Sequence, residues 1–199
     1  SVSSNCNQTT KKASNPFFTR YTDVENFKNY PNLFGADDLV VITEKIHGSN
    51  FRAGYVPYVA STFWKRILKF LRLTPAYEFV YGSHNVQLQD RMNPKTFYTR
   101  NIYAEAVEKY QLREKLKPGE VVYGEIYGDG IQKGYVYGCK PGERRLLVFD
   151  VKVDDKYLDF KLFETYCGGK LLPTVPILGM GPLHLLPALK TLSCGPSSL

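Results

Sequence analysis

The segment from Glu44 to Asn50 combines residue types that could carry covalent chemistry. It reads Glu-Lys-Ile-His-Gly-Ser-Asn, with Lys45 three residues before a glycine. A lysine amine is a nucleophile in its neutral form, and glycine lets a second backbone or a ligand approach closely. Such an amine could attack the α-phosphorus of a nucleoside triphosphate, forming a lysyl phosphoramidate and expelling pyrophosphate. A solvated lysine in an ordinary turn has the same composition, and composition alone favours that interpretation.

The elements around this segment are predicted to be mainly strands. Apolar, β-branched or alternating runs predict strands at residues 39–42, 51–55, 79–88, 121–127, 135–137 and 146–153. Helical spacing predicts helices at residues 61–73, 95–117 and 160–166. The segment from 44 to 50 is then a loop between two strands. The whole pattern predicts an α+β domain with antiparallel β-sheets and flanking helices.

The polar N-terminal stretch and the first predicted helix raise separate questions. Residues 1–16 offer little to bury and are predicted to form a disordered tail before one domain at residues 17–199. The helix at 61–73 has an apolar side opposite a basic side, which could lie along RNA or on an anionic membrane. Packing of its apolar side on the domain is the favoured interpretation.

Charge and cysteine pattern narrow the compartment and the partners. The 199 residues carry a formal net charge of +7, which favours a polyanionic partner such as nucleic acid, although many proteins are mildly basic without one. The four cysteines and three histidines are scattered, without the spacing of a zinc site or a disulfide framework. The apolar stretch at 171–189 is interrupted too often by prolines and glycines for a membrane span. We expect an intracellular, cytoplasmic protein with no membrane partner and no obligate protein partner.

Four short strings follow one another in a recognisable order. Glu-Lys-Ile-His-Gly-Ser-Asn-Phe at 44–51 is followed by Tyr-Gly-Ser-His-Asn at 81–85, Tyr-Gly-Glu-Ile-Tyr-Gly at 123–128 and Val-Phe-Asp-Val at 148–151. They resemble motifs I, Ia, III and IIIa of the ATP-dependent RNA ligases of the phage and editing type, which are covalent lysine nucleotidyltransferases. The resemblance covers roughly residues 17–160 and implies an ATP-grasp-like adenylyltransferase domain. His47 stands where DNA ligases and capping enzymes carry aspartate, which points towards RNA.

The resemblance implies a role for each matching residue. Lys45 would be the nucleophile that forms lysyl-AMP, and His47 would also be catalytic. Glu125 would bind the ribose or a metal ion, and Phe149 would stack on adenine, although the first could be an ordinary strand carboxylate and the second plain core. The other residues expected to bind the nucleotide are Glu44, Ile46, Ser49, Asn50 and Asn85. ATP would donate AMP with Mg²⁺ or Mn²⁺, and RNA 5′-phosphate and 3′-hydroxyl ends would be joined.

The chain departs from the family pattern in two places. His84 stands where many relatives carry arginine, and a neutral imidazole anchors phosphate less firmly than a guanidinium. Motif IV, an apolar run beginning Glu-Gly, and motif V, Lys-x-Lys, do not appear before Leu199, so we expect a domain that lacks its last motifs. Such a chain would adenylylate poorly, or serve as a non-catalytic nucleic-acid-binding module. A DNA ligase or an mRNA capping enzyme is the remaining alternative, which His47 makes less favourable.

Overall fold

The computed structural model describes residues 14–30, 32–60, 63–88, 101–186 and 197. Within these ranges the strands are β1 Leu39–Thr43, β2 Ser49–Pro57, β3 Tyr77–Gly82, β4 Gln87–Leu88, β5 Glu120–Gly128, β6 Arg144–Val153, β7 Lys156–Tyr157 and β8 Ile177–Pro182. The helices are α1 Phe63–Phe70, α2 Ile102–Lys109, α3 Leu112–Lys115 and α4 Phe160–Lys170. Single 3-10 turns occur at Phe27–Asn29 and Leu183–Leu185.

The strands form one large sheet and one small sheet. The large sheet has six strands in the order β4-β3-β2-β5-β6-β7, and β1 pairs with β8 in the small sheet. All of these pairings are antiparallel. The predicted α+β architecture of antiparallel sheets with flanking helices is confirmed. In the part of the chain that is described, no helix has the length and apolar character needed to cross a membrane.

Helices α2, α3 and α4 cover one face of the large sheet. Side chains alternate between the two faces along each strand, so Phe51 and Ala53 of β2 and Val122 and Ile126 of β5 point to this side. The helix residues buried against them include Val107, Leu112, Phe163 and Cys167. Burying one large apolar side chain stabilises a fold by about 1.5–3 kcal/mol. Because the largest cluster of buried apolar residues lies on this face, it is the main core.

The N-terminal segment covers part of the opposite face. The side chains buried there are Phe18, Val56, Val80, Val121 and Tyr123. Asn15, which is 5% exposed, donates hydrogen bonds to the Pro57 carbonyl oxygen and to the Glu78 carboxylate. The predicted tail therefore lies mostly outside the described residues, and residues 14–16 belong to the packed domain.

Several predicted elements differ from the structure. The strand predicted at 135–137 is wrong, because Gly134, Tyr137 and Gly138 have φ of +85°, +47° and +69° and the stretch forms turns. The helix predicted at 95–117 breaks at Gln111, where φ is +53°, and its residues 95–100 lie outside the described ranges. The strand predicted at 79–88 is interrupted by a turn after Gly82, and β8 was not predicted.

Helix α1 exposes several side chains of its apolar side. It is shorter than predicted, and Phe63, Leu68 and Leu71 of the predicted apolar side are 72%, 41% and 55% exposed. The interpretation that this side packs on the domain is therefore wrong for these side chains. The helix lies in the connection from β2 to β3, where Lys69 Nζ donates to the Tyr58 carbonyl oxygen at 2.6 Å.

Candidate active site

Residues 44–48 connect β1 to β2, and we call them the Lys45 loop. The Glu44 amide donates to the Pro176 carbonyl oxygen at 2.9 Å. Two residues later, the Ile46 side chain is 6% exposed and packs in a cluster that contains Tyr127, Leu147 and Val175. Lys45 is exposed between these two anchors. The loop thus presents its lysine from a backbone held on both sides. A nucleotide contact by Ile46 would use its backbone and stays a prediction.

The carboxylate of Glu125 meets the end of the Lys45 loop. Glu125 Oε1 accepts a hydrogen bond from the Gly48 amide at 3.1 Å. A Cβ at Gly48 would lie 2.2 Å from the Ile126 carbonyl oxygen, so only glycine permits this approach. Burial raises the pKa of Glu125 to about 7, although the Gly48 N–H and the positive charge of Lys45 act in the opposite direction. The positive charge of Lys45 is therefore close enough to affect the Glu125 carboxyl.

Asn50 supplies a second oxygen beside Glu125. The two residues are directly opposite each other in the β2–β5 pairing and lie on the same face of the large sheet. Asn50 Oδ1 is buried and has no hydrogen-bond partner among the described residues. Leaving a buried acceptor unpaired costs about 1–3 kcal/mol. No described donor satisfies this acceptor.

Ser49 points away from that site. Its hydroxyl lies 2.7 Å from the Tyr103 hydroxyl of α2, on the face that the helices cover.

Asn85 is exposed in the turn between β3 and β4, and no described contact joins it to the Lys45 loop. The predicted nucleotide contacts of Ser49 and Asn85 stay predictions. His84, the neighbour of Asn85, is half-buried in the same turn.

Phe149 lies on the same face as Glu125. The β5–β6 register shifts beside it, since Tyr123 pairs with Asp150 and Gly124 with Val148. Its ring is half-buried and meets the Tyr21 ring edge-on, with centroids 4.9 Å apart. It also packs against the cluster that contains Ile46. Phe149 therefore contributes to the core and borders the site, and adenine stacking stays a prediction.

His47 and Glu44 are held by residues outside the strands. The His47 ring packs on Tyr135 at a centroid distance of 4.8 Å, and its amide donates to the Tyr137 hydroxyl at 2.9 Å. The Glu44 carboxylate accepts a hydrogen bond from the Ser197 hydroxyl at 2.6 Å. The structure thus brings Glu44, Lys45 and His47 together with Glu125 and Asn50 around one loop.

The family model for RNA ligases matches residues 38–194 of this chain. The chain belongs to the RNA ligase family. The match spans the Lys45 loop, Glu125 and Phe149. The resemblance of the four ordered strings to RNA ligase motifs is thereby confirmed at the level of the family. No curated protein matches the chain.

Solved structures of a Naegleria gruberi RNA ligase share the fold of this RNA ligase family member. An apo mutant matches with a TM-score of 0.63 and 20% identity, covering 92% of this chain and 49% of that chain. A mutant with ATP and Mn matches with a TM-score of 0.62 and 19% identity, covering 92% of this chain and 50% of that chain. The chain therefore spans about half the length of these relatives. At this identity the likeness shows a common fold.

The oxygen atoms of Glu125 and Asn50 in this RNA ligase family member are of the kind that bind a divalent cation together with phosphate oxygens. In the described ranges, no three His, Cys, Asp or Glu side chains gather where they could hold a metal ion. Mg²⁺ is commonly bound through one or two carboxylates together with substrate phosphates and water. The Glu125 carboxylate and the unpaired Asn50 Oδ1 are two oxygens of the required kind on one face. Glu125 as a metal ligand is thus consistent with the donor set.

Two residues at this site were not assigned from the sequence. Arg52 is 2% exposed, donates to the Ser83 and Phe18 carbonyl oxygens at 2.9 and 2.5 Å, and lies over the Phe18 ring. Burial lowers the pKa of Arg52 to about 10. Its position two residues after Asn50 places it on the Glu125 face, and strand alternation could have revealed this. Tyr137, the second, has no comparable signal, because its stretch was predicted to be a strand.

Proposed function

We propose that this chain is the nucleotidyltransferase core of an ATP-dependent RNA ligase that works through a lysyl-AMP intermediate on Lys45. The observation that carries this proposal is the meeting of the Lys45 loop with Glu125. An exposed lysine, a partly buried carboxylate and the unpaired Asn50 oxygen meet there. The family match and the order of the four motifs support the same proposal.

The first step would be attack of the neutral Lys45 amine on the α-phosphorus of ATP. A nitrogen–phosphorus bond forms, the bond to the bridging oxygen breaks, and pyrophosphate leaves. The amine loses its proton to solvent or to a neighbouring base. Because the loop backbone is held at Glu44, His47 and Gly48, the lysine starts from a defined position.

Glu125 and Asn50 would orient the nucleotide and its cation. Mg²⁺ or Mn²⁺ would neutralise phosphate charge as pyrophosphate departs. Glu125 and Asn50 Oδ1 would hold that cation or the ribose, and Phe149 would contact the adenine ring. Glu44 and Asn85 would supply further nucleotide contacts, and Ile46 and Ser49 would do so through their backbones, because their side chains point away from the site. These assignments rest on the matching motifs and on the shared face of Asn50, Glu125 and Phe149.

Two later steps would join RNA ends. A 5′-phosphate oxygen attacks the AMP phosphorus, and the Lys45 amine leaves. A 3′-hydroxyl then attacks the activated 5′-phosphate, forms the phosphodiester and releases AMP. His47 is proposed to act in these steps, since it lies next to Lys45 with its ring exposed. The net charge of +7 supports binding of an RNA backbone.

Labelling with α-³²P ATP tests the proposal. The chain is incubated with ATP and Mg²⁺ or Mn²⁺, denatured and separated on a gel. We expect an acid-labile, base-stable adduct that disappears in Lys45→Ala and persists in Lys133→Ala, a matched exposed lysine in a neighbouring turn. No adduct from the wild-type chain would refute catalysis, and RNA binding in that case would favour the non-catalytic module. Labelling from GTP alone would favour a capping enzyme.

A further inference from the structure

We propose that Tyr137 is a positioning residue for Lys45, acting through the backbone of the Lys45 loop. Its hydroxyl accepts a hydrogen bond from the His47 amide. This contact orients the backbone of the loop and thereby the side chain of Lys45, two residues earlier. This inference rests on the proposed function of Lys45. Tyr137 itself lies outside the four matched strings and touches no reacting atom.

The loop depends on few contacts for its shape. Its described amide hydrogen bonds run from Glu44 to Pro176, from His47 to Tyr137 and from Gly48 to Glu125. The first lies before Lys45 and the other two lie after it. Lysine has four rotatable side-chain bonds, so the direction of its amine depends on how firmly its backbone is oriented. Of these three amides, that of His47, which the Tyr137 hydroxyl holds, is the nearest on the C-terminal side of Lys45.

Tyr137 is itself fixed by the core. Its ring meets the Tyr127 ring edge-on at a centroid distance of 5.5 Å, and Tyr127 is 2% exposed. Tyr127 packs in the same cluster as Ile46, the residue between Lys45 and His47. One cluster therefore orients both the hydroxyl and the loop that it holds. A hydroxyl on a rigid ring loses little conformational freedom when it bonds.

The backbone at Tyr137 favours a functional interpretation. Its φ is +47°, in the left-handed region where Asn and Gly are common and a bulky aromatic residue is disfavoured. Gly138 follows with φ of +69°. Gly or Asn would adopt this conformation at less cost, so the tyrosine is explained by its side chain, whose ring packs on Tyr127 and whose hydroxyl accepts the His47 amide hydrogen bond.

Tyr135 provides a matched control. It lies two residues earlier in the same turns, and its ring packs on the His47 ring at 4.8 Å. Within the described residues its hydroxyl makes no hydrogen bond, and 43% of the residue is exposed. Tyr135→Phe therefore removes a hydroxyl next to the loop without removing a contact. Tyr137→Phe removes the hydrogen bond and keeps the ring on Tyr127.

Amide hydrogen exchange tests the contact without requiring activity. The chain has three histidines, so ¹⁵N-histidine labelling gives three backbone amide signals, which His84→Gln and His184→Gln assign. In Tyr137→Phe we expect the His47 amide to exchange at least about 10-fold faster. The His184 amide, which donates to the Ala36 carbonyl oxygen, is the internal reference and should not change. An unchanged His47 exchange rate in Tyr137→Phe would overturn the proposal.

Adenylylation kinetics test the consequence for Lys45. In Tyr137→Phe we expect kcat for adduct formation to fall about 10-fold, with KM for ATP within about 2-fold and an unchanged Tm. Tyr135→Phe should match the wild type. Equal rates in both variants would refute positioning of Lys45 by Tyr137. If the wild-type chain forms no adduct, the proposed function fails instead, and the exchange experiment still decides whether Tyr137 holds the loop.

Discussion

Replacing Glu125 by glutamine should stabilise the fold at pH values above about 7. The partly buried Glu125 carboxyl has a pKa raised from 4.5 to about 7. Below pH 4.5 the group is protonated in both the folded and the unfolded chain. As pH rises from 4.5 through 7, the unfolded chain loses this proton before the folded chain does, so the free energy of unfolding falls. Above about pH 7 this fall in the free energy of unfolding is complete. Glu125→Gln avoids it, because glutamine has no proton to lose.

The size of the effect follows from the two pKa values. The difference between 4.5 and about 7 corresponds to at most about 3.5 kcal/mol. Glu125 is only partly buried, and solvent screening reduces this figure to about 1–2 kcal/mol. For a chain of 199 residues, 1 kcal/mol shifts Tm by about 2–4 °C. We therefore expect Glu125→Gln to raise Tm by about 2–8 °C at pH 8 and by much less at pH 5.

Urea unfolding in metal-free buffer at pH 5 and pH 8 measures this difference. Glu120 on the same strand is the matched control. Burial alone would raise its pKa, but hydrogen bonds from Tyr166 and the Lys117 amide and the Lys170 ammonium together lower it. Glu120 therefore stabilises the fold above its unfolded pKa of 4.5 and loses this contribution only as pH falls below that value, so Glu120→Gln should destabilise by nearly the same amount at pH 5 and pH 8. The reasoning fails if Glu125→Gln has the same effect on stability at pH 5 and pH 8, or destabilises at pH 8.

Three further substitutions test other parts of the structure. Gly48→Ala should lower the free energy of unfolding by about 2–4 kcal/mol in urea, because the added Cβ would lie 2.2 Å from the Ile126 carbonyl oxygen. Arg52→Met should destabilise by about 2–4 kcal/mol, since it leaves the buried Phe18 carbonyl oxygen without its donor; a Tm within 1 °C of wild type would contradict this. Phe70→Ser should leave Tm unchanged within about 1 °C, because this residue is 87% exposed; a large fall would mean that α1 packs on the domain.

The local parts of the fold were predictable from the sequence. The runs at 39–42, 51–55, 121–127 and 146–153 became β1, β2, β5 and β6, because alternation or β-branched composition was continuous there. The helix at 160–166 was also found, although it continues to Lys170. Gly168 and Gly169 lie inside it, and the left-handed Leu171 follows as its C-cap.

Long-range contacts were not predictable. β8 contains Gly179 and Gly181 and lacks the signature of a strand, and it forms only because β1 lies alongside it. The turns at 134–138 contain the aromatic and β-branched residues typical of a strand, but left-handed glycines and Tyr137 bend the chain instead. Burial of Arg52 depends on the N-terminal segment, whose Phe18 covers it. No local pattern carries that information.

The site was predicted from a string of residues, and strand geometry divides that string. Ser49 and Asn50 are adjacent in motif I, yet alternation sends the Ser49 hydroxyl to Tyr103 of α2 and leaves Asn50 beside Glu125. Ile46 similarly turns its side chain into the core. The motif thus identifies the segment. Which side chains face Glu125 and which support the loop depends on the direction in which each side chain points.

The composition of the Glu125 face argues for a ligand. Asn50 Oδ1 is buried without a partner, Glu125 has a pKa raised by burial, and Arg52 is a buried cation hydrogen-bonded to carbonyl oxygens. An unpaired buried oxygen and a desolvated carboxylate each lower stability, and apolar residues would pack there at less cost. Folding alone therefore gives no reason for Asn50 and Glu125 together on one face of a sheet, whereas Arg52 is explained by its hydrogen bonds. A bound group with cationic and polar parts would satisfy Asn50 and Glu125 together, which is what a metal-bound nucleotide would offer.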